Sequence, residues 1–230
     1  MRFNKEKEHG VELAAPHLAG FKAQKIVFVG DSITDAGRSQ EFYPYGNGYV
    51  SIFRDLLISL HPKPSITIIN KGISGNTIPG LRERWEDDII FQSPDWLSIL
   101  IGINDLHRAV RDGQREFSPE NYYRNYRECL KITRETIAPN IILMTPFYIS
   151  RTNTMDTFRK RVLENIPAYI EKVEKLSREF STLFINLHEI FQAKLAACEP
   201  ETFAPEPVHP NRTGHTLIAV EIMKALGLIK

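Results

Sequence analysis

Five short apolar runs recur along the chain: Ile26–Val29, Ile66–Asn70, Trp96–Ile101, Ile141–Thr145 and Leu183–Asn186. Runs of this length, rich in branched residues and ending at turn formers, read as buried strands. Helical patterns lie between them. Tyr49–Leu60 carries Ile52, Phe53, Leu56, Leu57 and Leu60 on one face. Further helices are expected over Gly80–Ile90, over Pro119–Ile137 after the capping Ser118, over Ala168–Phe180 with Pro167 at its start, and over Arg212–Leu226. Strands alternating with helices pair in parallel through crossovers. The expected fold is therefore α/β, a three-layer α/β/α sandwich on a five-stranded parallel sheet in the flavodoxin-like order 2-1-3-4-5. In that order the chain switches direction between the first and third strands, where open α/β sheets bind their ligands.

The length of 230 residues suits one domain with a sizeable core. That domain is expected over residues 25–230, with residues 1–24 as an extension outside it. The 29 basic residues are offset by 28 acidic ones and form no stripe, which argues against a nucleic-acid partner. Cys129 and Cys198 are too few for a disulfide framework and too far apart for a CxxC motif. No signal-peptide core and no bilayer-length apolar run is found. A cytoplasmic protein without a membrane partner is expected.

The chemistry lies in the loops at the strand ends. Gly30-Asp31-Ser32 comes after the first strand, Gly72-Ile73-Ser74-Gly75-Asn76 after the second and Gly102-Ile103-Asn104-Asp105 after the third. Glu206-Pro207-Val208-His209 precedes the last helix. A serine in such a place can simply cap a helix. Together, though, the four loops present at one sheet edge the parts that acyl transfer needs. Ser32 can attack if His209 takes its proton, and Glu206 can hold the imidazole in the right tautomer. The Ser32 N–H, the Gly75 N–H and the Asn104 amide can hold the oxyanion, each donor contributing about 2.7–4 kcal/mol.

On these residues the chain resembles the SGNH hydrolases of the GDSL group. GDSIT corresponds to the serine block, GISGNT to the glycine block, GIND to the asparagine block and VHPN to the histidine block. The segments NKGISGNT, RWEDDI, PDWLSILIGINDLHR and ILMTPFYI resemble more narrowly the bacterial intracellular acetylxylan esterases of that superfamily. The resemblance covers roughly residues 25–226. It implies a serine esterase that removes acetyl groups from carbohydrate esters such as acetylated xylo-oligosaccharides, and a homo-oligomer. One position departs: the family usually has Asp three residues before the histidine, and here Glu206 stands there. Its longer arm must be absorbed locally, and Pro207 restricts how.

Plainer roles compete at other positions. Asp31 adjoins the nucleophile and is read chiefly as a loop hydrogen-bonding group, with a catalytic acid or a substrate contact as the alternatives. Trp85 and His107 are each weighed equally as sugar contacts and as packing residues. Asp35 is read as a loop or cap residue and His215 as structural. Glu206, His209 and His215 lack a helical metal-ligand spacing, and Pro210 interrupts them, so no metal is expected. Neither GxGxxG nor GxxxxGK[ST] occurs, so no cofactor is expected. A short-chain arylesterase, lysophospholipase or thioesterase would use the same machinery. A non-catalytic sugar-binding protein on this fold would need neither nucleophile nor base.

Overall fold

The computed structural model describes residues 23–61, 66–151 and 155–230. The expected extension over residues 1–24 lies outside these apart from Ala23 and Gln24. In chain order the elements are β1 (Lys25–Gly30), α1 (Ser32–Asp35), α2 (Tyr49–Leu60), β2 (Thr67–Gly72), α3 (Ile78–Glu83), β3 (Trp96–Leu100), α4 (Ile103–Asp112), α5 (Pro119–Thr136), β4 (Asn140–Met144), α6 (Thr157–Phe180), β5 (Leu183–Ile185), α7 (Leu187–Leu195) and α8 (Arg212–Ala225).

The strands form one parallel sheet in the order β2-β1-β3-β4-β5, as expected. Gly30 at the end of β1 stands level with Gly72 of β2 and Leu100 of β3. The loops after β2 and β3 therefore flank the loop after β1. β1 is buried from Ile26 to Gly30, which accounts for its unbroken apolar run, since a central parallel strand is covered on both faces. α2 packs with α8, while α5 packs with α3 and α6. The contact of α2 with the sheet is aromatic: Phe28 of β1 meets Phe53 and Tyr49 edge-on, at 5.3 and 5.9 Å between ring centroids.

Besides α7, which no expected helix covers, three helices differ from expectation. α6 begins at Thr157, where Asp156 accepts from the Arg159 N–H at 2.8 Å, and it runs through Pro167. The buried stripe Val162, Ile166, Tyr169, Val173 and Leu176 continues across the proline, so packing outweighs the missing N–H. The helix expected over 80–90 is a short α3 capped by Thr77, followed by a π turn over Glu86–Ile90. The residues after β3 were expected as a loop; instead α4 begins at Ile103. Asn104 and His107 thus lie on one helix, a turn apart.

Candidate active site

Ser32 is the first residue of α1, directly after β1. Its N–H is one of the donors that a helix start leaves without an intrahelical partner. Asp31 supplies the cap, its Oδ1 accepting from the Ile33 N–H at 3.0 Å. The Ser32 Oγ lies 2.9 Å from Nε2 of His209. On the other side of the ring, Nδ1 lies 2.5 Å from Oε1 of Glu206. Nδ1 donating to the carboxylate leaves Nε2 free to accept from the hydroxyl, which is the tautomer a general base needs.

The long arm of Glu206 is absorbed within its own turn. The carboxylate folds back so that Oε1 also accepts from the His209 N–H at 2.7 Å, and Oε2 accepts from the Val208 N–H at 3.0 Å. The Pro207 carbonyl accepts from the Ile149 N–H at 2.8 Å, which fastens the turn to the segment after β4. Side-chain exposures of 57% for His209 and 43% for Glu206 mean that the hydrogen-bonded relay opens to solvent rather than being sealed inside.

The loops that carry Gly75 and Asn104, the candidate oxyanion donors, are tied down from several sides. Gly75 has φ of +76°, a conformation that favours glycine, and a Cβ there would meet nothing within 4 Å. Its neighbour Ser74 donates through Oγ to Asp35 at 2.9 Å, and Asp35 also accepts from the Ser39 N–H and Oγ. Asp35 is thus a loop anchor, as read from the sequence. Asn104 donates one amide hydrogen to the Asn76 carbonyl at 3.0 Å, leaving the second for a ligand. Asp105 behind it accepts from the Ile78 N–H with both oxygens, at 3.1 and 3.2 Å. Burial pushes its carboxyl up to about 7.

Arg84 is the residue that sequence reasoning missed. Its guanidinium donates to the Asn76 side chain at 2.8 Å, the Lys71 carbonyl at 2.7 Å and the Gly30 carbonyl at 3.1 Å. It also pairs with Asp88, which Lys71 contacts at 2.9 Å. One side chain thereby joins the ends of β1 and β2 to the glycine-block loop. The signal available was its i,i+4 relation to Asp88.

The remaining candidates take plainer places. Trp85 is a correction: it is only 3% exposed, and its indole N–H donates to Thr133 of α5 at 2.9 Å, so no face is open to a sugar. Asp31 is likewise buried, 1% exposed. Burial raises it to about 7, against the smaller opposing effects of the Ile33 N–H and of nearby His209. His107 packs edge-on against Phe158 and Tyr148, at 5.3 and 5.7 Å between ring centroids. Burial lowers its imidazole to about 4, so it stays neutral near pH 7. His215 accepts at Nδ1 from the Tyr49 N–H at 3.2 Å and is also lowered by burial to about 4, which fits a structural role. Among the described residues no group of three or more His, Cys, Asp or Glu side chains is arranged to hold a metal ion.

Comparison with known proteins agrees with this geometry. The GDSL-like lipase/acylhydrolase family matches residues 28–217. An acetylxylan esterase of Geobacillus stearothermophilus is 36% identical over 214 residues, which cover 89% of this chain and 94% of that protein. The crystal structure of Axe2, an acetylxylan esterase from the same organism, superposes with a TM-score of 0.77 at 34% identity, covering 90% of this chain and 96% of the other. LAE5, an alpha/beta hydrolase enzyme from the metagenome of Lake Arreo, Spain, superposes with a TM-score of 0.79 at 30% identity, again over 90% and 96%. A serine at the end of β1, aligned with an imidazole and a carboxylate on an open parallel sheet, is what such a relationship requires, and the chain belongs to the GDSL-like lipase/acylhydrolase family of ester hydrolases.

Proposed function

We propose that the enzyme removes acetyl groups from carbohydrate esters by way of an acetyl-enzyme on Ser32. The observation that carries this reading is the unbroken chain from Ser32 Oγ through His209 to Glu206. His209 takes the hydroxyl proton as Ser32 attacks the ester carbonyl. The carbonyl oxygen, now an anion, is held by the Ser32 N–H, the Gly75 N–H and the free amide hydrogen of Asn104. His209 then returns the proton to the departing sugar oxygen, and Glu206 stabilises the imidazolium between these steps. Water, activated by the same imidazole, hydrolyses the acetyl-enzyme. The acetylated sugar as substrate is supported by the Geobacillus acetylxylan esterase, with which the chain aligns over 94% of that protein's length. A non-catalytic sugar-binding role would leave the aligned relay without a purpose.

In this proposal residues 25–230 form one domain, and the enzyme works in the cytoplasm as a homo-oligomer. Two unpaired cysteines, Cys129 and Cys198, suit a reducing compartment. No helix among the described residues is long and apolar enough to cross a membrane. Sedimentation measures the oligomeric state.

Chain length tests the acetyl assignment. The enzyme should release acetate from peracetylated xylobiose, and kcat/KM should fall from acetate to butyrate to octanoate esters of one alcohol. A methylene that fits a pocket is worth about 1–3 kcal/mol, so a pocket built for longer chains would reverse the order. A preference for octanoate would assign the site to a lipase or thioesterase instead.

A further inference from the structure

A cavity of about 390 Å³ opens beside Ser32 and His209, between the loop of residues 37–47 and the start of α8. Its walls include Phe42, Asn47, Arg212 and His215, but neither Gly75 nor Asn104. That division has a chemical meaning. In the tetrahedral intermediate the oxyanion faces the Gly75 and Asn104 donors, while the leaving oxygen faces the imidazole that protonates it. A cavity lined by His209 but by neither Gly75 nor Asn104 therefore lies on the alcohol side of the ester. Its volume is at the small end for ligand sites, suited to one compact unit.

The wall chemistry narrows that unit. Gly37, with φ of +78°, lets the Phe42 ring pack directly on its backbone: a Cβ at residue 37 would lie 2.9 Å from the ring. The ring is thus backed by main chain yet remains 42% exposed. Such a fixed aromatic face suits the apolar C–H face of a sugar. Arg212 spends one donor on Asn47 Oδ1, at 3.4 Å, which leaves its other N–H groups and the Asn47 amide hydrogens available to hydroxyl oxygens. Asn211 is occupied: it accepts from the Thr213 and Gly214 N–H groups and donates to the Glu201 and Thr202 carbonyls. Among the described residues no carboxylate lines the cavity, so they offer a cationic alcohol no counter-charge there.

Resting on the esterase reading above, we propose that this cavity seats the sugar ring of the ester, with Phe42 as its platform and Arg212 and Asn47 as the groups that hold its hydroxyls. These residues set selectivity for the alcohol half of the substrate, whereas the acetyl half is handled on the other side of Ser32.

The test compares two acetates that differ in the alcohol, peracetylated xylobiose and ethyl acetate. In Phe42→Ala the ratio of kcat/KM for the sugar ester over ethyl acetate should fall tenfold or more. In Arg212→Gln it should fall at least threefold. Phe42→Tyr, which keeps the ring, should hold the ratio and controls for disruption of the loop. A ratio within twofold of wild type in both Phe42→Ala and Arg212→Gln would overturn the assignment while leaving the esterase reading intact. A fall in Phe42→Ala alone would also overturn it, pointing to a plain apolar alcohol site. Binding of xylobiose to Ser32→Ala, read by ligand-observed NMR, separates the two claims further. Xylobiose should bind, and Phe42→Ala in that background should weaken it at least fivefold even if neither acetate proves to be a substrate. Absence of xylobiose binding at millimolar concentration would count against the cavity.

Discussion

Glu206 occupies a position where one carbon atom decides whether a turn works. Its carboxylate bonds to Nδ1 of His209 and also to two backbone N–H groups of its own turn, so the extra methylene relative to Asp is used to bend the group back. Glu206→Gln replaces an acceptor by a donor. Whichever way the amide is turned, an NH2 faces either the Val208 N–H or the histidine, and the wrong imidazole tautomer becomes competitive. kcat on an acetyl ester should fall, by up to about 10⁴-fold if the coupling matches that of an Asp-based triad. Glu206→Asp should also lower kcat, by about 10- to 100-fold, because a shorter arm cannot keep both the turn and the histidine, and a displacement of about 1 Å can cost 100-fold. A rise in Glu206→Asp would show instead that the longer arm is a compromise, and an unchanged kcat in Glu206→Gln would remove it from the relay.

At the scale of elements, the site is a meeting of three strand ends, and Arg84 is the clamp across two of them. Arg84→Lys keeps a charge near Asp88 but loses the planar fork that reaches Asn76, Lys71 and Gly30 together. It should lower kcat about tenfold or more with a smaller change in KM, since it loosens the loop that carries Gly75 and leaves the alcohol side alone. A loss confined to KM would argue against a positioning role. The strand ends themselves were legible in the sequence because a parallel strand covered on both faces must read as an apolar run, and because turn residues come at once after each run. The pairing of Trp85 with Arg84 was not legible: adjacent residues on a helix point to different sides, and only the packed structure shows that Trp85 enters the core while Arg84 turns to the loops. α4 was hidden for a related reason. Its sequence, Ile103 to Asp112, is mostly polar and buries only Ile103, Asp105 and Leu106, so the helical spacing of Ile103, Leu106 and Val110 is a short signal, and it starts inside the block that carries Asn104. Pro167 misled in the opposite direction, as a start signal inside a helix whose buried stripe carries it through.

Across the whole molecule, buried ionisable groups set opposing pH limits on stability. Burial lowers His107, His188 and His215 from 6.5 to about 4 in the folded protein. Their contribution is present above 6.5 and is lost as pH falls toward 4, because the unfolded chain takes up protons that the folded one refuses. Burial raises Asp31 and Asp105 from 3.8 to about 7. Theirs is present below 3.8 and is lost as pH rises through 7. Between about 4 and 6.5 three imidazoles outweigh two carboxyls, and above 6.5 only the carboxyls act, so thermal stability should peak near pH 6.5. Asp31→Asn keeps the cap to Ile33 and removes one ionisation. It should be more stable than wild type at pH 8, by up to about 4 kcal/mol at 1.36 kcal/mol per pKa unit, with less than half of that gain at pH 5. Melting temperatures of both proteins across this range check the prediction, and equal gains at the two pH values would contradict it.

The strand ends, the clamp and the relay all converge on the Ser32 hydroxyl, and removing it tests the mechanism most directly. In Ser32→Ala, kcat/KM for acetate release from peracetylated xylobiose should fall by at least about 10⁴-fold, with a trace remaining above the rate in water because the oxyanion donors persist. A Ser32→Ala enzyme that turns over within tenfold of wild type would contradict covalent catalysis at this site.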